Sequence, residues 1–212
     1  MRSNTSNKNS MSENRIRRLP VYFRYLRELL MNGVMKISSK ELAEKLGITP
    51  SQVRSDLNCF EGTGQQGYGY NVKLLYTEIS RVLGAGDKMN AVIIGGDIHF
   101  AKHLSERFEG RGVTVYALFS EDSSSDLSFL SCKYSDIVRV LSEHPAEIAV
   151  IVELPKEISS DILISLGIKG IWNLTNRDIS ASIPIINLPV GDIIMNLCYE
   201  IRNYNAEGKN EL

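Results

Sequence analysis

The sequence predicts an α/β protein in two parts, a winged helix-turn-helix domain and then a doubly wound parallel sheet. Three observations predict it. Leu46-Gly47-Ile48-Thr49-Pro50-Ser51-Gln52-Val53-Arg54-Ser55-Asp56-Leu57 reads as the turn and second helix of a helix-turn-helix. After Gly84-Ala85-Gly86-Asp87 the pattern changes to strands alternating with helices. Charge divides at the same place. Residues 1–83 hold 13 Lys+Arg against 7 Asp+Glu, and residues 84–212 hold 11 against 18. A basic module ahead of an acidic remainder suits a phosphate-binding domain joined to something else.

Bulk properties exclude several classes. With 212 residues, 43% hydrophobic and 23% charged, the chain suits one large or two small globular domains. No apolar run approaches the ~20 residues of a membrane span. Met1 to Asn14 is polar and lacks the apolar core of a secretory signal. Cys59, Cys132 and Cys198 are far apart and odd in number, which suggests a reducing cytoplasm and isolated thiols rather than disulfides.

Residues 1–14 are Ser/Asn-rich and read as a disordered tail. Residues 15–83 read as the winged domain. Arg15, Arg17 and Arg18 precede a helix opening at Pro20 and running to about Asn32, and they read as an arm touching phosphate. In the next helix Ser38 and Glu41 form a capping box, with Leu42, Ala43 and Leu46 inward. Gly47 suits a left-handed helix end. Thr49 caps the following helix, Pro50 suits its first position, and Gln52 completes a second capping box. That helix runs to about Phe60. Val53 and Leu57 point inward. Ser51, Gln52, Arg54, Ser55 and Asn58 point out, as a helix entering a major groove requires.

Glu61 to Val72 has four glycines in twelve residues. A turn at Gly64-Gln65-Gln66-Gly67 and an alternating Tyr68-Gly69-Tyr70-Asn71-Val72 make a hairpin, the wing. Gln65, Gln66 and Tyr68 are its candidate DNA contacts, and its tip carries no charge. Val72 to Leu83 is a connecting helix, and residues 84–90 are a linker.

Residues 91–190 alternate between strands and helices. Strands are expected at Ala91–Gly95, Val113–Phe119, Ile148–Val152, Ile168–Leu174 and Pro184–Leu188. Helices are expected at Ile98–Phe108, Tyr134–Glu143 and Pro155–Leu166. This is the pattern of a Rossmann-like sheet covered on both faces. Residues 191–212 are a terminal helix and tail. Ile194, Leu197, Cys198, Ile201 and Tyr204 form an apolar stripe that either covers its own sheet or crosses to a partner.

A dinucleotide would bind at the first strand-to-helix turn, Gly95-Gly96-Asp97-Ile98-His99-Phe100. Asp97 stands where the G-x-G-x-x-G pattern has its second glycine, and Phe100 where it has its third. A carboxylate there faces the anionic pyrophosphate. Ser120 ends the second strand where an acid usually binds the ribose, with Glu121 and Asp122 as shifted candidates. His99 and His103 stand four apart, a metal spacing, but no third ligand can be assigned and no metal is expected. No nucleophile–base pair or P-loop is present, so no enzyme is expected.

The chain resembles the redox-sensing transcriptional repressors of the Rex family over nearly its whole length. The resemblance rests on Arg18-Leu19-Pro20, Ser38-Ser39-Lys40-Glu41-Leu42, Gln52-Val53-Arg54-Ser55-Asp56-Leu57, Gly67-Tyr68-Gly69-Tyr70-Asn71-Val72 and Leu166-Gly167-Ile168-Lys169-Gly170-Ile171-Trp172-Asn173. It implies a homodimer that exchanges its C-terminal helix and binds double-stranded operator DNA. It implies NADH/NAD+ as effectors, NADH releasing the operator, with Gly95, Gly96, Asp97, Ile98, His99, Phe100 and Ser120 around the dinucleotide. This sequence departs from the family at Asp97, Phe100 and Ser120, at Gln65-Gln66 in place of a basic pair, and at Ser55 in place of a basic residue. A paralogue answering to another ligand or partner is the alternative. A dimerisation adaptor or an NAD-dependent oxidoreductase with an accessory domain is a further one.

Overall fold

A computed structural model describes residues 12–60, 62–65, 68–121 and 130–207. The expected tail up to residue 11, Gln66, Gly67 and Asp122 lie outside the described residues. The chain divides into two compact units, Met1–Gly86 and Asp87–Leu212.

The first unit has α1 (Glu13–Met31), β1 (Lys36–Ile37), α2 (Ser39–Leu46), α3 (Pro50–Leu57), β2 (Gly64–Gln65), β3 (Gly69–Asn71) and α4 (Val72–Leu83). The first helix corrects the sequence expectation. It begins at Glu13, not Pro20, so Arg15, Arg17 and Arg18 lie within it rather than on an arm. The Ser12 carbonyl accepts from Arg15 and Ile16, and Arg17 pairs with Glu13 at 2.7 Å. Pro20 removes one helical bond, yet Leu19, Tyr22, Phe23 and Leu26 around it are buried and hold the segment on the core.

Both caps of the helix-turn-helix form. The Ser38 hydroxyl accepts from the Glu41 backbone at 3.1 Å, and the Glu41 carboxylate accepts from the Ser38 backbone at 2.8 Å. Gly47 ends α2 at φ +65°. Thr49 accepts from the Gln52 backbone at 3.1 Å. The reciprocal half of that second box is not made, because the Gln52 amide turns to Asp56. Helix α3 stops at Leu57, short of Phe60.

The wing is a three-stranded antiparallel sheet, ordered β1-β3-β2. The short strand β1 has no counterpart in the sequence expectation. Gly69, at φ +76°, lies so close to β1 that a Cβ would stand 2.5 Å from the Ile37 carbonyl oxygen. Only glycine brings the wing that near to the helix-turn-helix.

The second unit has β4 (Met89–Ile94), α5 (Ile98–Phe108), β5 (Val113–Ser120), β6 (Leu130–Lys133), a 3-10 turn (Tyr134–Asp136), α6 (Ile137–Glu143), β7 (Ile148–Ile151), α7 (Ser160–Ser165), β8 (Gly170–Asn173), β9 (Ile185–Asn187) and α8 (Val190–Glu207). All strand pairings are parallel, in the order β6-β5-β4-β7-β8-β9. This is the doubly wound dinucleotide-binding order, with its switch point between β4 and β7. Val92, Ile94, Phe119 and Ile151 face α6 and α7, while Ala91, Ile93, Leu118 and Val150 face α5. Ala91 to Ile94 are therefore all fully buried.

Several elements differ from expectation: β4 begins at Met89, inside the expected linker, and β8 at Gly170, two residues late. Strand β6 is additional, and the start of the expected Tyr134–Glu143 helix is a 3-10 turn. Helix α7 is shorter than Pro155–Leu166, because Pro155 opens a separate turn and Ser159 supplies the cap, accepting from Ile162 at 3.3 Å. Helix α8 leaves Ile193, Ile194, Met195, Leu197, Ile201 and Tyr204 exposed.

Candidate nucleic-acid interface and nucleotide crevice

The recognition helix α3 is anchored by a buried charge. Asp56 is 1% exposed, between Val53 and Leu57 on the inner face. Arg18 grips it with two bonds, Nε to Oδ2 at 2.7 Å and NH2 to Oδ1 at 2.6 Å. The Tyr22 hydroxyl donates to Oδ2 at 3.1 Å and the Gln52 amide to Oδ1 at 2.8 Å. Burial pushes the Asp56 carboxyl up, but the bond from Arg18, then that from Gln52, outweigh it and hold the group below its ordinary range. Burial first, and Asp56 second, push the Tyr22 phenol well up. A buried carboxylate without such partners would be strongly destabilising.

This network re-sorts the expected DNA contacts. Arg18 is committed to Asp56, with about a third of its side chain exposed (36%). Gln52 is half-buried and likewise committed. Ser51, Arg54 and Ser55 are exposed on α3, as is Asn58 just past its end. Ser51 and Thr49 share a hydroxyl–hydroxyl bond at 2.9 Å, and Arg54 reaches the Ser39 hydroxyl at 3.2 Å. Arg17 is exposed and Arg15 half-buried. In the wing Tyr68 is 67% exposed, with the Lys36 ammonium 5.7 Å from its ring centre. Of Gln65 the backbone in β2 is described. Lys36 and Asp56 are absent from the sequence-derived candidates. An acid between two inward residues of an amphipathic helix is the signal that could have found Asp56.

The second candidate site lies where β4, β5 and β7 end. Gly95 and Gly96 turn the chain at φ +87° and +79°. A Cβ on Gly95 would stand 2.4 Å from the Glu153 backbone nitrogen, so the turn presses against the loop after β7. Asp97 is extended, at φ −111° and ψ 171°, and caps α5. Its carboxylate accepts from the Phe100 backbone N–H at 2.8 Å. The Phe100 ring is 38% exposed and lies 3.6 Å from where a Gly96 Cβ would be. Ile98 is half-buried and His99 exposed. Ser120 is buried at the end of β5, and Glu121 beyond it is exposed. A cleft of about 630 Å³ adjoins this turn, lined by Val152 and Glu153 after β7 and by Thr175, Asn176 and Arg177 after β8.

The cysteines do not pair. Cys59 is half-buried, its thiol donating to the Asp56 carbonyl at 3.4 Å, Cys132 is buried and Cys198 exposed. Among the described residues no cluster of His, Cys, Asp and Glu could hold a metal, and no helix is long and apolar enough to cross a membrane.

A family model described as "Putative DNA-binding protein N-terminus" matches residues 10–58. The redox-sensing transcriptional repressor Rex of Clostridium botulinum (strain Eklund 17B) is 42% identical over 198 residues, covering 88% of this chain and 93% of the relative. Rex of Clostridium beijerinckii is 40% identical over 195 residues, covering 87% and 92%. The chain belongs to the Rex family. RSP, a Rex-family repressor, is similar in structure as well as sequence. Its complex with β-NAD+ and operator DNA matches with TM-score 0.81 at 32% identity, over 96% of this chain and 98% of that one. Its complex with β-NADH matches with TM-score 0.77, over 94% and 98%. The Rex relatives are repressors by name, and RSP shows the family with both the dinucleotide and the operator.

The Asp56 network gives a pH dependence of defined sign. Its folded pKa is depressed, so its stabilisation is present above the unfolded value of about 4 and is lost as pH falls through the lower folded value. Melting temperature should therefore fall below about pH 4. Asp56→Asn should melt lower at pH 7 and lose less on acidification. Glu41, held low by its bonds with Ser38, titrates in the same window in both proteins. Equal acid sensitivity of the two proteins would contradict the assignment.

Proposed function

We propose that this chain is a Rex-type repressor that binds operator DNA as a homodimer, through the exposed face of α3 and the wing. The observation that carries this is the division of labour on α3. Asp56, Val53 and Leu57 are buried, Gln52 is tied to Asp56, and Ser51, Arg54, Ser55 and Asn58 are left facing solvent. Arg54 is the base-reading candidate, since a guanidinium can bond a guanine edge with two hydrogen bonds. Arg17 and Lys36 are candidate phosphate contacts, with Tyr68 beside Lys36. Repression requires no catalytic group, and the relatives carry repressor names. The cytoplasm is the compartment this reading implies, consistent with unpaired cysteines.

Helix α8 supports a homodimer. It spans 18 residues and exposes Ile194, Leu197, Ile201 and Tyr204 along one stripe. Beside Trp172, a shallow apolar hollow of about 280 Å³ lies between Phe108, Val150 and Ile186. Apolar surface of this extent on a helix calls for a cover, and exchange of α8 between two copies supplies one.

The dinucleotide of the relatives does not fit the turn of this chain. The strand order and the Gly95-Gly96 bend are those of a dinucleotide site. Asp97 then sets a carboxylate at the start of α5, where a pyrophosphate needs unshared N–H donors.

Two outcomes test this reading. Against a duplex selected by the protein from a random pool, Arg54→Ala should weaken binding by about 1–3 kcal/mol, roughly fivefold to 150-fold, and relax base preference. Unchanged affinity would contradict the placement. Ile194→Asp combined with Leu197→Asp should turn a dimer into a monomer in light scattering. A dimer that survives would remove α8 from the interface.

A further inference from the structure

The crevice carries, in its own side chains, what a ligand would otherwise supply. The Asp97 carboxylate bonds the Phe100 N–H, one of the first-turn donors that a phosphate at this helix start would use. The backbone of Asp97 is ordinary extended chain, so nothing conformational demands glycine here and the side chain is tolerated at no strain. What glycine provides at this position is room for a phosphate to approach the backbone, and Asp97 removes that room. Phe100 works on the other side. Its ring carbon Cδ1 lies 3.6 Å from where a Cβ on Gly96 would stand, in van der Waals reach of the bend.

Charge acts in the same direction. Asp97, Glu121 and Glu153 follow the ends of three adjacent parallel strands, β4, β5 and β7, and all three are exposed. Glu153 and Glu121 both add to the upward push that burial gives the Tyr134 phenol. On the same edge, Lys133 ends β6 and Arg177 lies beyond β8. Strands β6 and β8 each stand two places from β4 in the sheet, and Arg177, four residues past the end of β8, lines the cleft there together with Glu153. At the turn itself the charge that meets a dinucleotide's two negative phosphates is the Asp97 carboxylate, on the first-turn N–H of α5.

We propose that Asp97 and Phe100 make the turn self-occupied, so that this repressor does not take up NADH and binds its DNA irrespective of the nucleotide. Asp97 stands in for the anion at the helix start, and Phe100 closes the bend beside it. The DNA half of the proposal rests on the repressor reading above, while the nucleotide half stands without it.

The test is a calorimetric titration of the full-length protein with NADH, and with NAD+ in parallel, without DNA. Anisotropy of the selected duplex is then measured across the same NADH range. The expected result is no saturable binding below about 1 mM and a duplex Kd constant within about twofold. Asp97→Gly with Phe100→Gly should gain about tenfold or more in NADH affinity. Asp97→Gly with Phe100→Ala keeps a better helix former at position 100 and should gain in the same direction. Saturable micromolar binding by the unaltered protein, with release of the duplex, would overturn the proposal. Silence of the unaltered protein and of both double variants would overturn the assignment to these two residues. Failure to bind any duplex would instead contradict the repressor reading, because the calorimetric titration contains no DNA.

Discussion

The winged domain depends on one buried ion pair. Asp56 sits on the inner face of the recognition helix, where an apolar residue would ordinarily stand. Its carboxylate loses water on folding and regains partners only if Arg18 and Tyr22 of α1 arrive together with Gln52 of its own helix. That requirement fixes α3 against α1 more narrowly than packing of Val53 and Leu57 could. Apolar contacts tolerate sliding, whereas a two-pronged guanidinium–carboxylate bond does not. Helix α4 then packs on α1, with Phe23 and Tyr76 stacked at 4.9 Å. The wing is set by the approach of Gly69 to Ile37. Removing one member of a fully buried pair costs about 3–5 kcal/mol, and less is expected here because Arg18 is partly exposed.

The second unit keeps a scaffold and changes its chemistry. The parallel order β6-β5-β4-β7-β8-β9 and the positive φ angles of Gly95 and Gly96 are those of a dinucleotide fold. The residues proposed to keep an anion out lie one and four positions beyond Gly96. The fold accommodates them, since Asp97 caps α5 and Ala101 packs under the sheet. Architecture and ligand are thus separable in this chain. The sheet is held by its buried strands and the ligand site by a few exposed side chains at their ends.

Legibility from sequence follows the same line. Helices α4 and α5 are legible to the residue, because caps and breakers bound them. Asn71 and Gly84 enclose α4, and Asp97 caps α5. The buried strands β4, β5, β7 and β8 are legible within a few residues from their apolar runs. Strand β6 is not, because Leu-Ser-Cys-Lys has little apolar content, only Cys132 being buried. Weighing Pro20 as a first residue misplaces the start of α1, although its neighbours Leu19, Tyr22 and Phe23 already form a buried helical face. At the DNA site, helical period sorts Arg54 and the serines outward. It does not reveal the inward turn of Gln52 and Arg18, because their partner is a buried acid, and Arg18 lies 38 residues from it in the chain. In the crevice, the departures at Asp97 and Phe100 are visible as residue types, but the approach of Glu153 comes from a neighbouring strand and has no local signature.

The central claim is that Arg18 positions the recognition helix instead of neutralising a DNA phosphate. The salt dependence of duplex binding by Arg18→Ala, compared with unaltered protein and with Asp56→Ala, tests it most directly. Each neutralised phosphate adds about 0.9 to the slope of log affinity against log salt. The ion-pair account predicts that Arg18→Ala and Asp56→Ala both weaken binding with the slope unchanged, and that the double variant is hardly worse than either. A slope reduced by about one unit in Arg18→Ala alone, with Asp56→Ala near normal, would contradict it.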